Sequence, residues 1–152
     1  MYDLIIVGLG AVGAASAYQA AKRGARVLGI DRFAPPHALG SSHGDTRITR
    51  IAIGEGEHYT PIVRRSHQIW RDIEAKTGEE LLVVTGGLIV SSGARKATTH
   101  VPGFFENTLG AARRFAIEHE MLDARELREL FPQFNVSDNE VAYYEPAARC
   151  SR

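Results

Sequence analysis

The feature that most constrains the fold is a glycine-rich turn between an apolar run and an alanine-rich run near the start of the chain. Residues 4–7 read Leu-Ile-Ile-Val, which is typical of a buried strand, and residues 14–22 have strong helix propensity. Between them lie Gly8, Gly10 and Gly13. In a dinucleotide-binding unit these glycines allow a tight turn, a close approach to a pyrophosphate, and close packing of helix on sheet. The helix N-terminus then attracts the phosphates.

A second apolar run completes a strand–helix–strand unit. Residues 27–30 predict a strand parallel to residues 4–7 in a central sheet, joined by a right-handed crossover. Asp31 follows Gly13 by 18 residues, near the spacing of about 20 at which an acid binds the adenosine ribose hydroxyls. The alternative is a glycine-rich turn that binds nothing. The pattern predicts an α/β, Rossmann-like fold that binds an adenine dinucleotide.

Composition argues against several other classes of protein. The chain has 152 residues, 44% hydrophobic and 24% charged, which predicts a packed globular domain. Its 18 basic and 18 acidic residues cancel, which disfavours nucleic-acid or membrane binding through charge. No apolar stretch approaches the roughly 20 residues of a membrane span, and no signal peptide precedes the first strand. The single Cys150 and scattered histidines predict a cytoplasmic protein without a disulfide or a metal site.

A polar segment rich in proline, glycine and serine follows Asp31. Residues 32–45 predict a loop, because prolines lack a backbone donor and glycines favour turns. Arg47 and Arg50 come next, three residues apart. A helix would place them on one face and a strand on opposite faces, and the sequence leaves both open. The segment, with His43 and Asp45, is either a solvated polar loop or part of a site beside the cofactor.

The same segment resembles a known family. Residues 31–33, 35–37 and 40–50 are similar to the monomeric sarcosine oxidase and N-methyltryptophan oxidase family of flavin-dependent amine oxidases. The likeness covers nearly the whole chain, through residues 54–61, Trp70, residues 85–88 and residues 144–146. The family pattern commonly has a second histidine where this chain has Ser42. The resemblance implies the N-terminal part of a two-domain FAD-dependent oxidase.

The resemblance also implies roles for individual residues. His43 and Arg47 would lie beside the flavin ring, where positive charge favours the anionic reduced flavin. Arg50 would hold the substrate carboxylate with its planar guanidinium group. These three are the predicted catalytic residues. The predicted FAD-binding residues are Val7, Gly8, Gly10, Ala11, Val12, Gly13, Asp31, Arg32, Ser41, His43 and Arg47.

The reaction implied by the family is oxidation of an N-methyl or other secondary amino acid. Hydride would pass from the carbon next to nitrogen to the flavin, and oxygen would reoxidise the flavin to give hydrogen peroxide. The imine product would hydrolyse to an aldehyde. The implied partners are a small secondary amine and O2, in a family that is usually monomeric. Two alternatives stay open: a non-catalytic dinucleotide-binding module, and an NAD-dependent dehydrogenase, which residues 41–47 disfavour.

Family members run well over twice this length. Their later half supplies the rest of the flavin site, the cysteine bonded to flavin, and a lysine proposed to assist oxygen. We therefore expect residues 1–152 to be an FAD-binding region with the start of a substrate domain at approximately 80–150. As a truncated fragment, the chain is expected to expose sheet edges and not to turn over an amine by itself. Cys150 comes too early to be the flavin-linking cysteine.

The middle of the chain is predicted to be structural and to lie outside the site. Thr60 is a predicted N-cap of a helix with Pro61 in its first turn, and Gly78 is a predicted stop. Trp70 lies on the apolar stripe of this helix, which predicts a core position. His67 lies off the stripe and is predicted to be solvated.

Further elements are predicted after Gly78. The predicted strands are 81–84, 87–90 and 141–144, the predicted amphipathic helix is 104–121, and residues 93–102 form a polar link. Asp123 and Glu126 have the spacing of a capping box, which predicts a short helix ending at Leu130 before Pro132.

Overall fold

The computed structural model describes residues 1–41, 43, 44, 46–92 and 101–151. Ser42, Asp45 and most of the predicted link at 93–102 lie outside the described residues. The chain divides into two compact units, Met1–Asp45 and Thr46–Arg152.

The first unit is a strand–helix–strand motif. Strand β1 (Leu4–Val7) leads through the glycine turn into helix α1 (Ala11–Lys22), and strand β2 (Val27–Ile30) follows. The strands pair in parallel, with Leu4 opposite Val27 and Val7 opposite Ile30. The predicted parallel pair is therefore confirmed, and α1 begins three residues before the predicted run.

Burial in the first unit differs from the prediction. The sequence predicts strands buried on both faces, but Ile5 is 56% exposed and Val7 is 83% exposed. None of the described residues in this unit is fully buried. The physical reason is that one helix and two strands cannot cover both faces of a sheet.

The described part of the second unit contains two antiparallel sheets. Strand β3 (Arg47–Thr49), strand β4 (Leu82–Val84) and strand β8 (Arg149–Ser151) form one sheet in the order β3-β8-β4. The other sheet has strand β5 (Gly87–Ser92), strand β6 (Glu120–Leu122) and strand β7 (Glu140–Glu145) in the order β5-β7-β6. Both strands predicted around residues 85 and 86 exist, but they belong to different sheets.

Helix α2 (Thr60–Thr77) follows a 3₁₀ turn at Glu57–Tyr59. Thr60 is the first residue of the helix rather than its N-cap, since the preceding 3₁₀ turn makes Tyr59 the cap. The N-cap prediction is therefore wrong. Gly78 ends the helix as predicted, with a φ of 75° and its N–H bonded to the Glu74 carbonyl at 2.8 Å. No helix in the described part of the chain combines the length and the apolar character of a membrane span.

Two further helices lie in the described part of the second unit. Helix α3 (Phe104–Arg114) ends earlier than the predicted 104–121, because Ala116 takes a φ of 48° and the chain enters β6. Helix α4 (Ala124–Leu130) has the predicted bounds and capping box. The Asp123 carboxylate accepts the Glu126 N–H at 2.8 Å, and the Glu126 carboxylate accepts the Asp123 N–H at 2.9 Å.

The core lies around β7, whose successive side chains point to opposite faces. Ala142 packs with Leu127 of α4 in one cluster, and Tyr143 packs with Ala112 of α3 in another. The β5-β7-β6 sheet is thus covered by α4 on one face and α3 on the other.

Two predictions about the faces of helix α2 are wrong. Trp70 is 36% exposed, whereas His67 is buried. The imidazole of His67 bonds Thr49 and Arg149 in the β3-β8-β4 sheet, so the polar partners of that sheet draw the histidine inward.

Candidate functional site

The glycine turn of the first unit is closed by backbone contacts. Gly8 has a φ of 93° and donates its N–H to the Ile30 carbonyl at 2.7 Å. A Cβ on Gly13 would lie 1.8 Å from the Gly8 carbonyl oxygen. A side chain at Gly13 is therefore excluded, and the first turn of α1 lies directly against the end of β1.

The N-terminus of α1 has neither a side-chain cap nor an acidic residue in its first turn. Its N-cap is Gly10, which has no side chain to bond the first N–H groups. Because the helix dipole places partial positive charge here, this end favours an anion such as a phosphate.

Asp31, directly after β2, bonds the backbone of the glycine turn. Its Oδ2 accepts the Leu9 N–H at 2.6 Å, and its Oδ1 accepts the Phe33 N–H at 3.0 Å. The Phe33 N–H, then the Leu9 N–H, and to a smaller extent His37 hold the pKa of the Asp31 carboxyl below its usual range. The carboxylate is therefore ionised at neutral pH and fixed beside the glycine turn.

His37 lies next to this carboxylate. Its Nδ1 accepts the Leu39 N–H at 3.2 Å, and its Nε2 lies 3.4 Å from Asp31 Oδ1. Since the amide can only donate, the neutral imidazole carries its proton on Nε2, towards the carboxylate. The Phe33 ring packs edge-on against the imidazole, with 5.2 Å between ring centroids.

A cavity of about 530 Å³ opens beside the glycine turn. Its size is within the range of small-molecule sites. The Nδ1 of His43 lies 2.5 Å from the Gly40 carbonyl, which can only accept, so Nδ1 is the donor in this contact. The lining residues are Leu9, Gly10, Ala11, Ala14, Pro35, Pro36, His37, Gly40 and His43. The cavity thus brings three predicted FAD-binding residues, Gly10, Ala11 and His43, to one place.

The remaining predicted FAD-binding residues of this unit occupy exposed positions. Val7 ends β1, and Val12 lies in the first turn of α1 with 82% of its surface exposed. Arg32 places its guanidinium group 5.3 Å from the centre of the Phe33 ring. Ser41 is exposed in a turn.

In the second unit, the two predicted site arginines lie in and just after β3. Arg47 is the first residue of the strand, and its Nη1 donates to the Thr46 carbonyl at 2.9 Å. Arg50 follows the strand. Its Nη2 lies 3.4 Å from Glu55 Oε2, and its guanidinium carbon lies 5.1 Å from the centre of the Phe104 ring. The segment therefore forms a strand at Arg47 rather than a helix, and Arg50 lies just outside that strand.

Arg50 borders a second cavity, of about 380 Å³. Apolar side chains, including Ile48, Ile53 and Val63, form much of its wall, beside Glu55. The Nε of Arg50 is buried and has no hydrogen-bond partner among the described residues. Because Arg50 borders the cavity and carries a positive charge, its guanidinium group can donate to an anionic partner there.

The backbone after Arg50 is held by a residue that sequence reasoning missed. The buried Glu145 carboxylate accepts the Ile51 N–H at 2.7 Å, the Ala52 N–H at 3.1 Å and the Tyr143 hydroxyl at 2.9 Å. Burial, followed by the charge of Glu145, raises the pKa of the Tyr143 hydroxyl, which keeps it protonated as a donor. The only sequence feature that pointed towards Glu145 was the family resemblance at residues 144–146.

His67 is a second buried polar residue that sequence reasoning missed. The Nδ1 of His67 accepts from Arg149 at 2.7 Å, which places the neutral ring proton on Nε2, 2.9 Å from Thr49 Oγ1. Burial, then the positive charge of Arg149, lowers the pKa of His67. Among the described residues, no cluster of His, Cys, Asp and Glu has the arrangement of a metal site.

Comparison with known proteins places these features in a family. Residues 3–151 match the family described as FAD dependent oxidoreductase. The chain belongs to this family. The predicted cofactor, FAD rather than NAD, is confirmed, and the α/β FAD-binding fold agrees with it.

Relatives in the family include amine oxidases. The chain is 43% identical over 147 residues to monomeric sarcosine oxidase of Streptomyces avermitilis, covering 97% of this chain and 36% of the relative. It is 41% identical over 145 residues to N-methyl-L-tryptophan oxidase of Yersinia pestis, covering 95% of this chain and 37% of the relative. The predicted resemblance is confirmed, and the chain spans little more than a third of the length of these relatives.

Solved structures have the same fold. NikD, an amino acid oxidase essential for nikkomycin biosynthesis, superposes with a TM-score of 0.80 and 25% identity, over 99% of this chain and 37% of NikD. L-proline dehydrogenase from P. horikoshii superposes with a TM-score of 0.73 and 20% identity, over 99% of this chain and 38% of that protein.

Proposed function

We propose that residues 1–45 bind the adenosine diphosphate portion of FAD. The observation that carries the proposal is the closed glycine turn, in which the positive end of α1, the ionised Asp31 and a cavity of about 530 Å³ lie together. The diphosphate would lie against the N-terminus of α1, and the ribose would lie near Asp31. The other predicted FAD-binding residues of this unit, among them Val7, Val12, Arg32 and Ser41, are assigned by family resemblance.

We infer that Arg50 binds a substrate carboxylate. Its contact with Glu55 is long at 3.4 Å, so the guanidinium group retains donors for a bidentate pair. The mostly apolar wall of the cavity at Arg50 suits the carbon atoms of an amino acid. His43 and Arg47 are proposed, from the family pattern, to place positive charge beside the flavin ring.

The activity proposed for the whole protein is oxidation of the CH–NH group of an N-methyl or other secondary amino acid by O2. Bound FAD would supply the electron acceptor for this reaction. The contribution of this chain would be to hold the adenosine end of FAD and the substrate carboxylate. The assignment of residues 80–150 to the start of a substrate domain stays a prediction. So does a cytoplasmic location, which the single Cys150 supports.

Cofactor binding is tested by equilibrium dialysis of the purified chain against FAD, with Gly10→Val as the matched variant. Saturable binding by the parent chain and its loss in Gly10→Val are expected, because a branched side chain would block the approach of the diphosphate. Equal FAD binding by the two chains would contradict the assignment of the glycine turn.

Substrate binding is tested in a chimera that joins residues 1–152 to the remaining part of the Streptomyces avermitilis relative. Peroxide formation from sarcosine under air is measured for the parent, Arg50→Lys and Arg50→Ala. Loss of the carboxylate partner is expected to cost roughly 2–5 kcal/mol of binding, with Lys retaining charge but not the bidentate geometry. An unchanged KM in Arg50→Ala would refute the role. A chimera that binds FAD but forms no peroxide would favour the non-catalytic module.

A further inference from the structure

The side chain of His37 is held in one orientation on the wall of the cavity beside the glycine turn. We propose that His37 is a positioning residue that fixes the Asp31 carboxylate for recognition of the adenosine ribose. The inference rests on the proposed binding of FAD by residues 1–45 and extends it to a residue outside the glycine motif.

The contacts of the imidazole fix its tautomer. The Leu39 N–H donates to Nδ1 at 3.2 Å, so Nε2 carries the proton and lies 3.4 Å from Asp31 Oδ1. Both side chains are largely buried, with 19% of His37 and 11% of Asp31 exposed. The edge-on Phe33 ring packs against the imidazole. The imidazole is therefore packed and bonded in the orientation that directs its proton to the carboxylate.

The same contacts determine how many acceptor positions of the Asp31 carboxylate remain for a ligand. A carboxylate has about four acceptor positions, two on each oxygen. On Oδ1, the Phe33 N–H and the His37 Nε2–H take both positions, and on Oδ2 the Leu9 N–H takes one. One acceptor position on Oδ2 remains. Asp31 is then expected to bind one ribose hydroxyl, rather than the two that the motif alone predicts.

His37 acts on this selectivity by occupying the second acceptor position on Oδ1. Two backbone donors hold one position on each oxygen, and the His37 contact takes the second position on Oδ1. Without the imidazole, that position becomes available to water or to the other ribose hydroxyl. The selectivity for a single hydroxyl would then fall, while the diphosphate contacts at the glycine turn would be unaffected.

The test compares ADP with 2′-deoxy-ADP and 3′-deoxy-ADP by calorimetric titration of the purified chain. The parent is expected to lose about 10-fold in affinity for one deoxy analogue and little for the other, as for one hydrogen bond to a charged group. His37→Leu is expected to bind ADP within about 3-fold of the parent but to lose most of this difference between analogues.

Two further variants separate positioning from a structural role. The amide of Gln reaches the position of Nε2 and can donate to Asp31, whereas the amide of Asn reaches only the position of Nδ1. His37→Gln should therefore keep the selectivity and His37→Asn should lose it. In an Asp31→Asn background, His37→Leu should have no further effect on the ratio of affinities.

The outcomes are distinguishable from those of the proposed function. A parent chain that binds neither ADP nor FAD would overturn the proposed function itself. A parent that binds ADP but treats both deoxy analogues alike, or a selectivity that survives in both His37→Leu and His37→Asn, would overturn only the role of His37.

Discussion

Replacement of Glu145 by Gln is predicted to destabilise the second unit by removing one acceptor from a buried cluster. Glu145 and Tyr143 are both fully buried. One carboxylate oxygen accepts the Ile51 N–H at 2.7 Å, and the other accepts the Ala52 N–H at 3.1 Å and the Tyr143 hydroxyl at 2.9 Å. The substitution changes almost no volume, so its effect reports on hydrogen bonding rather than on packing.

The loss of stability expected for Glu145→Gln follows from the number of hydrogen-bond acceptors that remain. A Gln side chain offers one carbonyl oxygen, and its NH₂ group cannot accept from a backbone N–H. In either orientation of the amide, the N–H of Ile51 or of Ala52 loses its partner. A buried donor left without a partner costs about 1–3 kcal/mol. Glu145→Ala removes the acceptor of all three donors and is expected to cost about 3 kcal/mol or more.

The assay is urea unfolding followed by the fluorescence of Trp70, which is the sole tryptophan and lies in the second unit. Tyr143→Phe is the matched control, because it removes the hydroxyl donor and leaves both backbone donors in place. The cost of Glu145→Gln should persist in the Tyr143→Phe background. A Glu145→Gln chain within about 0.5 kcal/mol of the parent, at an unchanged m-value, would refute the reasoning.

Three further predictions follow from particular contacts. Gly13→Ala should weaken ADP binding by more than about 10-fold, because its Cβ would lie 1.8 Å from the Gly8 carbonyl oxygen. The control is Gly110→Ala in α3, whose Cβ would meet no neighbouring atom within 4 Å. Equal ADP affinities of the two variants in calorimetric titrations would contradict this packing of α1 on the glycine turn. The lowered pKa of His67 means that the unfolded chain takes up this proton more readily. Stability should therefore be complete above about pH 6.5 and should fall below it, by at most about 1.4 kcal/mol per pH unit. Urea midpoints between pH 7.5 and 5 should show a shallower slope in His67→Gln, whose amide does not titrate; an identical slope would exclude His67 as the cause. Asp123→Ala should cost about 0.5–2 kcal/mol by removing the capping box of α4, measured by urea unfolding, and Asp123→Asn should restore most of the loss.

The parts of the fold that sequence predicts well are those set by local interactions. The turn from Gly8 to Gly13, the stop at Gly78 and the capping box at Asp123 depend on residues within a few positions of one another. The end of α3 was not predicted, because Ala116 with a φ of 48° carries no glycine signal. Thr60 resembles an N-cap in sequence, but the 3₁₀ turn before it moves the helix start.

The site shows the same division between local and distant contacts. The position of Asp31 after the second strand was predictable from motif spacing, and so was the glycine turn that it bonds. Ile51 lies 94 positions from Glu145 along the chain, and Arg149 lies 82 positions from His67, so no local pattern indicates that the two side chains are buried. The apolar spacing along α2 predicts that Trp70 is buried and His67 is exposed, because this spacing carries no information on the polar partners Thr49 and Arg149.

The most direct test of the central claim is an NMR titration of the ¹⁵N-labelled chain with ADP, following every backbone amide. Binding of the adenosine diphosphate portion of FAD at the glycine turn predicts saturable shifts that are largest at Leu9, Gly10 and Gly13, with a second group around Asp31. FAD should displace ADP and give the same pattern. Saturable shifts centred in residues 46–151, or the absence of saturable shifts at the glycine turn, would contradict the account.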